Sequence, residues 1–150
     1  MEAEVYPDPR IVEEVSTQFV PVKIHIKEQP EVFQRFNAQW TPTQIILDAD
    51  GVERHRIEGF LPVEDFLAQM ELGLGKLQFQ HHHYAEAEER LRPVCESFPK
   101  AGAAPEACYW SAVSAYKKTN DAQHLGSAAQ LLKERYPESE WARKASVWLR

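Results

Sequence analysis

The sequence has few cysteines and glycines, and it lacks the short motifs of the common catalytic sites. Two cysteines and six glycines occur among 150 residues, and no Cys-x-x-Cys pair is present. A glycine-rich phosphate loop, a Gly-x-Ser-x-Gly motif and a paired metal-ligand helix motif are also missing. The residues themselves therefore predict no catalytic residue and no cofactor for this chain.

Long apolar stretches and a concentrated basic surface are missing as well. No run approaches the roughly 20 apolar residues of a membrane helix, and the N-terminus Met1-Glu2-Ala3-Glu4 is acidic, without an apolar signal segment. We therefore expect no membrane partner and a cytoplasmic protein. Residues 1–75 carry 14 acidic and 6 basic side chains, a net charge of −8, whereas residues 76–150 carry a net +2. This distribution disfavours nucleic-acid binding.

The central stretch of the first half is predicted to be a β-hairpin that begins at a proline. Residues 44–47 are an apolar run, residues 48–51 are rich in turn formers, and residues 52–57 alternate apolar and charged side chains. Gly51 is expected in a left-handed conformation. Pro42 either caps the entry of the first strand or marks a cis peptide bond, and local pattern does not choose between them.

Helix and strand patterns surround the hairpin. Asp8 and Pro9 predict the start of a short helix, and Pro30 predicts the start of another. Residues 19–26 alternate apolar and polar side chains, which predicts a strand with one buried face. After the hairpin, apolar spacing predicts an amphipathic helix from Val63 towards Phe79, weakened by Gly73 and Gly75 unless close packing requires them.

From Tyr84 onward the pattern is entirely helical. Four apolar stripes predict four helices, and the pairs Phe98-Pro99 and Tyr136-Pro137, 38 residues apart, break the pattern between them. This period is similar to that of tetratricopeptide repeats, although two units are fewer than such arrays normally need. We expect the helices to lean on the helix at residues 62–79. The predicted units are therefore residues 1–79 and residues 80–150.

The remaining cysteine and histidine residues are interpreted as structural. Cys95 and Cys108 are 13 residues apart in successive predicted helices, and the preferred interpretation is two free thiols packed as small apolar residues. A disulfide closing a helical hairpin is the alternative, and it would require an oxidising compartment. His81-His82-His83 is expected to be a polar turn rather than a metal site, because adjacent side chains diverge on a helix.

The order of these elements resembles the second half of a thioredoxin-like domain of the bacterial thioredoxin-related type. Tyr6-Pro7-Asp8-Pro9 matches the segment that follows the family's redox helix, and Thr41-Pro42 matches its cis-proline loop. The resemblance covers about residues 1–75 and implies a cis peptide facing a Cys-x-x-Cys pair, which this chain does not contain. The implied fold is α/β plus all-α: a partial sheet of about three strands with helices, followed by a tetratricopeptide-like four-helix region.

The resemblance also implies a strand between residues 19–26 and residues 44–47 that this chain lacks. Three outcomes are open: the two strands pair directly, two chains pair their exposed strand edges as a homodimer, or the natural protein begins upstream of Met1. The leading hypothesis is a binding module without a redox dithiol, in which Trp40, Thr41 and Pro42 contact a protein or peptide partner. The alternative is a truncated thiol-disulfide oxidoreductase whose Cys-x-x-Cys lies upstream of Met1.

Overall fold

The computed structural model describes residue 1 and residues 3–149, so Glu2 of the acidic N-terminal sequence lies outside the described part. The elements follow one another along the chain as helices α1 (Pro9–Gln18) and α2 (Pro30–Arg35), strands β1 (Thr43–Leu47) and β2 (Glu53–Glu58), helices α3 (Val63–Gln80), α4 (Tyr84–Ser97), α5 (Ala104–Thr119), α6 (Gln123–Arg135) and α7 (Glu140–Ala145), and a 3-10 helix (Ser146–Leu149). No described helix is both long enough and apolar enough to cross a membrane.

The predicted starts of the two helices in the first half are confirmed, and α1 also has a side-chain capping contact. The Asp8 side chain accepts a hydrogen bond from the Arg10 amide at 2.9 Å, and Pro9 is the first residue of α1. Pro30 likewise opens α2. Proline is favoured at a first helical position because its missing N–H would have no intrahelical partner there.

The hairpin is confirmed, but the predicted strand at residues 19–26 is wrong. Among the described residues, the sheet consists of β1 and β2 alone, paired antiparallel, so the expected sheet of about three strands is reduced to two. Val20 and Val22 are 92% and 75% exposed, and with Ile24 they form no backbone hydrogen bond to another described backbone group. Alternating β-branched residues favour extended backbone, but a strand also needs a neighbouring edge to pair with.

Helix α3 packs against the hairpin on one side and against the following helices on the other. On the hairpin side, α3 contributes to a buried apolar cluster, the hairpin core: Val5, Ile11, Ile46, Ile57, Phe66 and Met70. Its opposite side joins a helical core: Ala68, Leu72, Ala87, Leu91, Val94, Ala101, Ala103 and Ala107. The expected packing of the helical region on this helix is therefore confirmed.

Glycines 73 and 75 are required by this double packing. A Cβ atom on Gly73 would lie 2.4 Å from Ile46 Cδ1, and one on Gly75 would lie 2.5 Å from Leu91 Cγ. Atoms in ordinary van der Waals contact are roughly 3.5–4.0 Å apart. The glycines allow the hairpin and α4 to approach α3 closely, and the helix runs without interruption through both positions.

The helical region ends in a third apolar cluster, and here the preferred interpretation of the cysteines is wrong. Cys95 of α4 and Cys108 of α5 form a disulfide, with Cα atoms 4.8 Å apart. Both are buried beside three residues of α6 and α7: Ala129, Leu132 and Ala145. Each cysteine is buried as expected, but packing of the two helices brings the pair together. The cytoplasmic location stays a prediction, and it now has to accommodate a disulfide, which is typical of oxidising compartments.

Candidate functional site

The loop before β1 carries the three residues predicted to contact a partner. Trp40 is 68% exposed, Thr41 is exposed and Pro42 is half-buried. The peptide bond between Thr41 and Pro42 is cis. Thr43 Oγ1 donates a hydrogen bond to the Trp40 carbonyl oxygen at 2.7 Å, which holds the loop against the start of the strand. An exposed indole therefore stands beside a well-anchored turn.

The loop is held from its other side by α2 and β2. Arg56 on β2 donates a hydrogen bond to the carbonyl oxygen of Phe36 at 2.5 Å, just beyond the end of α2. The Glu53 carboxylate accepts from the same guanidinium at 2.7 Å and raises the pKa of Arg56. Ala38, which lies between Phe36 and Trp40 in the sequence, is buried. The position of the loop thus depends on both neighbouring elements.

The strand that follows the loop has one open edge. The Gly59 amide donates to the Pro42 carbonyl oxygen at 2.8 Å, which starts the ladder between β1 and β2. In an antiparallel pair, residues that face the partner alternate with residues that face away. Gln44 and Ile46 therefore face β2, while Thr43 and Ile45 direct their backbone N–H and C=O groups away from it. Among the described residues, β1 has no second strand neighbour.

The hairpin that carries this edge is held on α3 by a side-chain hydrogen bond and by buried apolar contacts. One ring nitrogen of His55 lies 2.8 Å from Gln69 Oε1 of α3. Burial lowers the pKa of His55, which favours the neutral imidazole. The Gln44 amide nitrogen donates to the Tyr6 hydroxyl at 2.7 Å, which ties β1 to the N-terminal segment as well.

The turn of the hairpin is organised by one carboxylate. Asp48 Oδ1 accepts hydrogen bonds from the amides of Asp50 and Val52, and Asp48 Oδ2 accepts from Arg54 Nε at 2.7 Å. The Val52 amide is the largest cause of the lowered pKa of Asp48. Gly51 has a φ of +77°, which confirms the predicted left-handed position. A bulge lies between Ile46 and Leu47, next to this turn.

The histidine run and the cysteines lie away from the loop before β1. The predicted polar turn at His81-His82-His83 is confirmed, since α3 ends at Gln80 and α4 begins at Tyr84. His83 Nδ1 lies 2.9 Å from Gln78 Oε1. Within the described residues, no group of three or more His, Cys, Asp or Glu side chains is placed to hold a metal ion. The two cysteines belong to α4 and α5, not to the elements around Pro42.

The sequence pattern predicts Trp40, Thr41 and Pro42 as partner contacts and leaves exposed strand edges as one open outcome, but it does not predict which residues of β1 face outward. The signal was available in part, because Pro42 and Gly59 bracket the hairpin and alternation follows from either end. The pattern also does not predict that the described part of the chain places no third strand beside β1, because residues 19–26 are predicted as a strand that could pair with it. The apolar side chains of that segment are instead among the exposed large hydrophobic side chains of the described residues.

Comparison with known proteins supports the first part of this description. Neither the curated proteins nor the solved structures contain a significant match to this chain. Residues 1–73 match the family model described as a thioredoxin-like domain, and this match supports a thioredoxin-like fold for the segment that holds α1, α2, the hairpin and most of α3.

Proposed function

We propose that this chain is a thioredoxin-like binding protein that takes up an extended segment of a protein partner along the open edge of β1, beside Trp40, Thr41 and Pro42. The observation that carries the proposal is the outward-facing backbone of Thr43 and Ile45 next to an exposed indole. A protein segment that adds to a strand edge gains main-chain hydrogen bonds, and neighbouring side chains supply selectivity. The tryptophan offers a large apolar contact area.

The proposed binding does not involve thiol chemistry at this site. Residues 1–79 contain no cysteine, and the two cysteines of the chain are joined to each other between α4 and α5. A thiolate is the attacking species in thiol-disulfide exchange, and this chain offers none beside Pro42. The proposal also treats α4–α7 as a tetratricopeptide-like region whose helices support the binding half.

The alternative function is thiol-disulfide oxidoreductase activity, with a Cys-x-x-Cys supplied by sequence upstream of Met1. The exposed, alternating apolar side chains of residues 20–26 favour this alternative, because a further strand would pair with this segment and a helix packed on the enlarged sheet would cover its apolar face. Insulin reduction by the present chain should be absent under either hypothesis. An in-frame Cys-x-x-Cys in the DNA upstream, together with insulin reduction by the extended chain, would favour the oxidoreductase.

The binding proposal is tested by selecting peptides from a displayed library of random 12-residue segments and titrating a selected peptide into the isotopically labelled chain. We expect amide chemical-shift changes at Thr43 and Ile45. Trp40→Ala should weaken binding at least tenfold, whereas Val147→Ala, which alters another exposed apolar residue, should leave it unchanged. Ile45→Pro removes one outward amide, and proline is tolerated at strand edges.

Shift changes confined to α4–α7, or equal affinities for wild type, Trp40→Ala and Ile45→Pro, would overturn the proposal. Sedimentation of the free chain at the titration concentration is needed as well, since the same edge is open to a second copy. A dimer that dissociates when the peptide is added would show that both use β1. A dimer unaffected by a saturating peptide would place self-association elsewhere.

A further inference from the structure

Two carboxylates and one guanidinium meet where α1 packs against α3 and the Arg90 side chain of α4 reaches α1. The Arg90 guanidinium of α4 lies 3.1 Å from Glu71 Oε2 of α3 and donates a hydrogen bond to Gln18 Oε1 of α1 at 2.5 Å. Glu14 of α1 is the third charged member, and its Oε1 atom is 4.0 Å from the nearest Arg90 nitrogen. The Arg90 guanidinium is therefore shared by three neighbouring side chains, and Glu14 is the most distant of them.

The Glu14 carboxyl group is poorly supported in its ionised form. Its side chain is 18% exposed, and Oε1 is buried without a hydrogen-bond partner among the described residues. Burial first, and then the neighbouring Glu71 carboxylate, raise the pKa of Glu14 to about 7, while Arg90 opposes the rise. Two carboxylates cannot donate to each other, so a hydrogen bond between them needs a proton on one.

We infer that Glu14 is a proton-dependent latch for the C-terminal half of α1: this half stays packed on α3, beside Arg90 of α4, when Glu14 is protonated and opens locally when Glu14 is ionised. The N-terminal half is anchored by Ile11, which is 2% exposed within the hairpin core, whereas Val15 and Phe19 are only partly buried against the same core. Opening would therefore withdraw Val15 and Phe19 and loosen residues 13–18 and the exposed segment that follows, while Ile11 stays in the hairpin core. The latch does not depend on the proposed peptide binding.

The direction of the pH dependence follows from the raised pKa. A carboxyl group with a folded-state pKa near 7 and an unfolded value near 4.5 stabilises the packed form fully below about pH 4.5. That contribution is lost as the pH rises through about 7. The charged groups facing Glu14 are Glu71 on α3 and Arg90 on α4, with Glu13 adjacent on α1. The first and last of these add to the repulsion, and Arg90 reduces it.

The experiment measures amide hydrogen exchange of the full chain at pH 5.5 and pH 8.5, expressed as protection factors so that intrinsic exchange rates cancel. We expect the protection factors of residues 15–18 to fall at least tenfold at the higher pH. This is a conservative value for a carboxyl group whose pKa rises from 4.5 to about 7 on packing. Glu14→Gln should keep high protection at both values. Glu13→Gln is the matched control, since the Glu13 side chain is exposed and its charge is the smallest of the contributions to the raised pKa of Glu14, so protection should still fall at the higher pH.

Carbon-detected titration of the Glu14 carboxyl group in the wild-type chain provides a readout that needs no variant. A midpoint near 7 supports the latch, and a midpoint near 4.5 overturns it. The latch is also overturned if Glu14→Gln retains the wild-type fall in protection, or if protection in the wild type is the same at both pH values.

Discussion

The close approach of α3 and α4 makes a specific prediction about Gly75. A Cβ atom at this position would lie 2.5 and 2.6 Å from two carbon atoms of Leu91. Leu91 is fully buried in the helical core, so any movement of its side chain would disturb other closely packed residues. Gly75→Ala therefore tests whether the contact between these two helices is as tight as described.

The expected effect is the difference between two opposing terms. Alanine is favoured over glycine inside a helix by about 1 kcal/mol. Overpacking of a buried contact typically costs about 1–3 kcal/mol. Because the clash involves a fully buried leucine, we place the cost in the upper part of that range. Gly75→Ala should then lower the free energy of unfolding by roughly 1–2 kcal/mol.

Urea unfolding followed by circular dichroism measures this change, and Gly126→Ala provides a control of opposite sign. Gly126 lies in α6, and a Cβ atom there would approach nothing closer than the Trp148 carbonyl oxygen at 3.8 Å. Gly126→Ala should therefore raise the free energy of unfolding by up to about 1 kcal/mol. If Gly75→Ala were stabilising to the same extent, the close contact between α3 and α4 would be refuted.

Three further predictions concern other parts of the chain. Reduction of the bond between Cys95 and Cys108 should lower the free energy of unfolding by about 3 kcal/mol, as expected for a closed loop of this length, and urea unfolding with and without dithiothreitol would detect it. Ser139→Ala should cost about 1 kcal/mol in the same assay, because Ser139 caps α7; an unchanged midpoint would contradict this. The lowered pKa of Asp48 means that its stabilising contribution is complete above about pH 4 and is lost on acidification. Asp48→Asn should therefore make exchange of the Val52 amide less sensitive to pH between 2 and 5.

Local signals in the sequence predicted most of the individual elements. The Asp8-Pro9 pair marks the start of α1, because a carboxylate can accept a hydrogen bond from a free amide at the N-terminal end of a helix and proline lacks an amide that would need a partner there. Gly51 marks the turn because a positive φ costs glycine nothing. These features depend on a few neighbouring residues, and so they can be predicted without knowledge of the tertiary contacts.

The features that the sequence did not predict depend on distant partners. Residues 19–26 have strand-like alternation, but strand formation requires a pairing edge, and the described part of the chain places none beside them. Cys95 and Cys108 each fit a small buried apolar site, and only the packing of α4 on α5 brings their Cα atoms to 4.8 Å. The role of Gly75 likewise became clear only once Leu91 was found against it. Exposed strand edges are among the expectations, but which backbone groups of β1 stay unpaired is the same kind of feature.

The double packing of α3 has a consequence for experiments that divide the chain. Phe66 and Met70 belong to the hairpin core, whereas Ala68 and Leu72 belong to the helical core, all within two turns of one helix. A protease that cleaves after residue 80 would leave the Ala68 and Leu72 side of α3 exposed to water. A fragment that begins at α4 would lack the α3 residues that complete its helical core. Neither half is therefore expected to fold stably by itself, and an expressed fragment should include both halves.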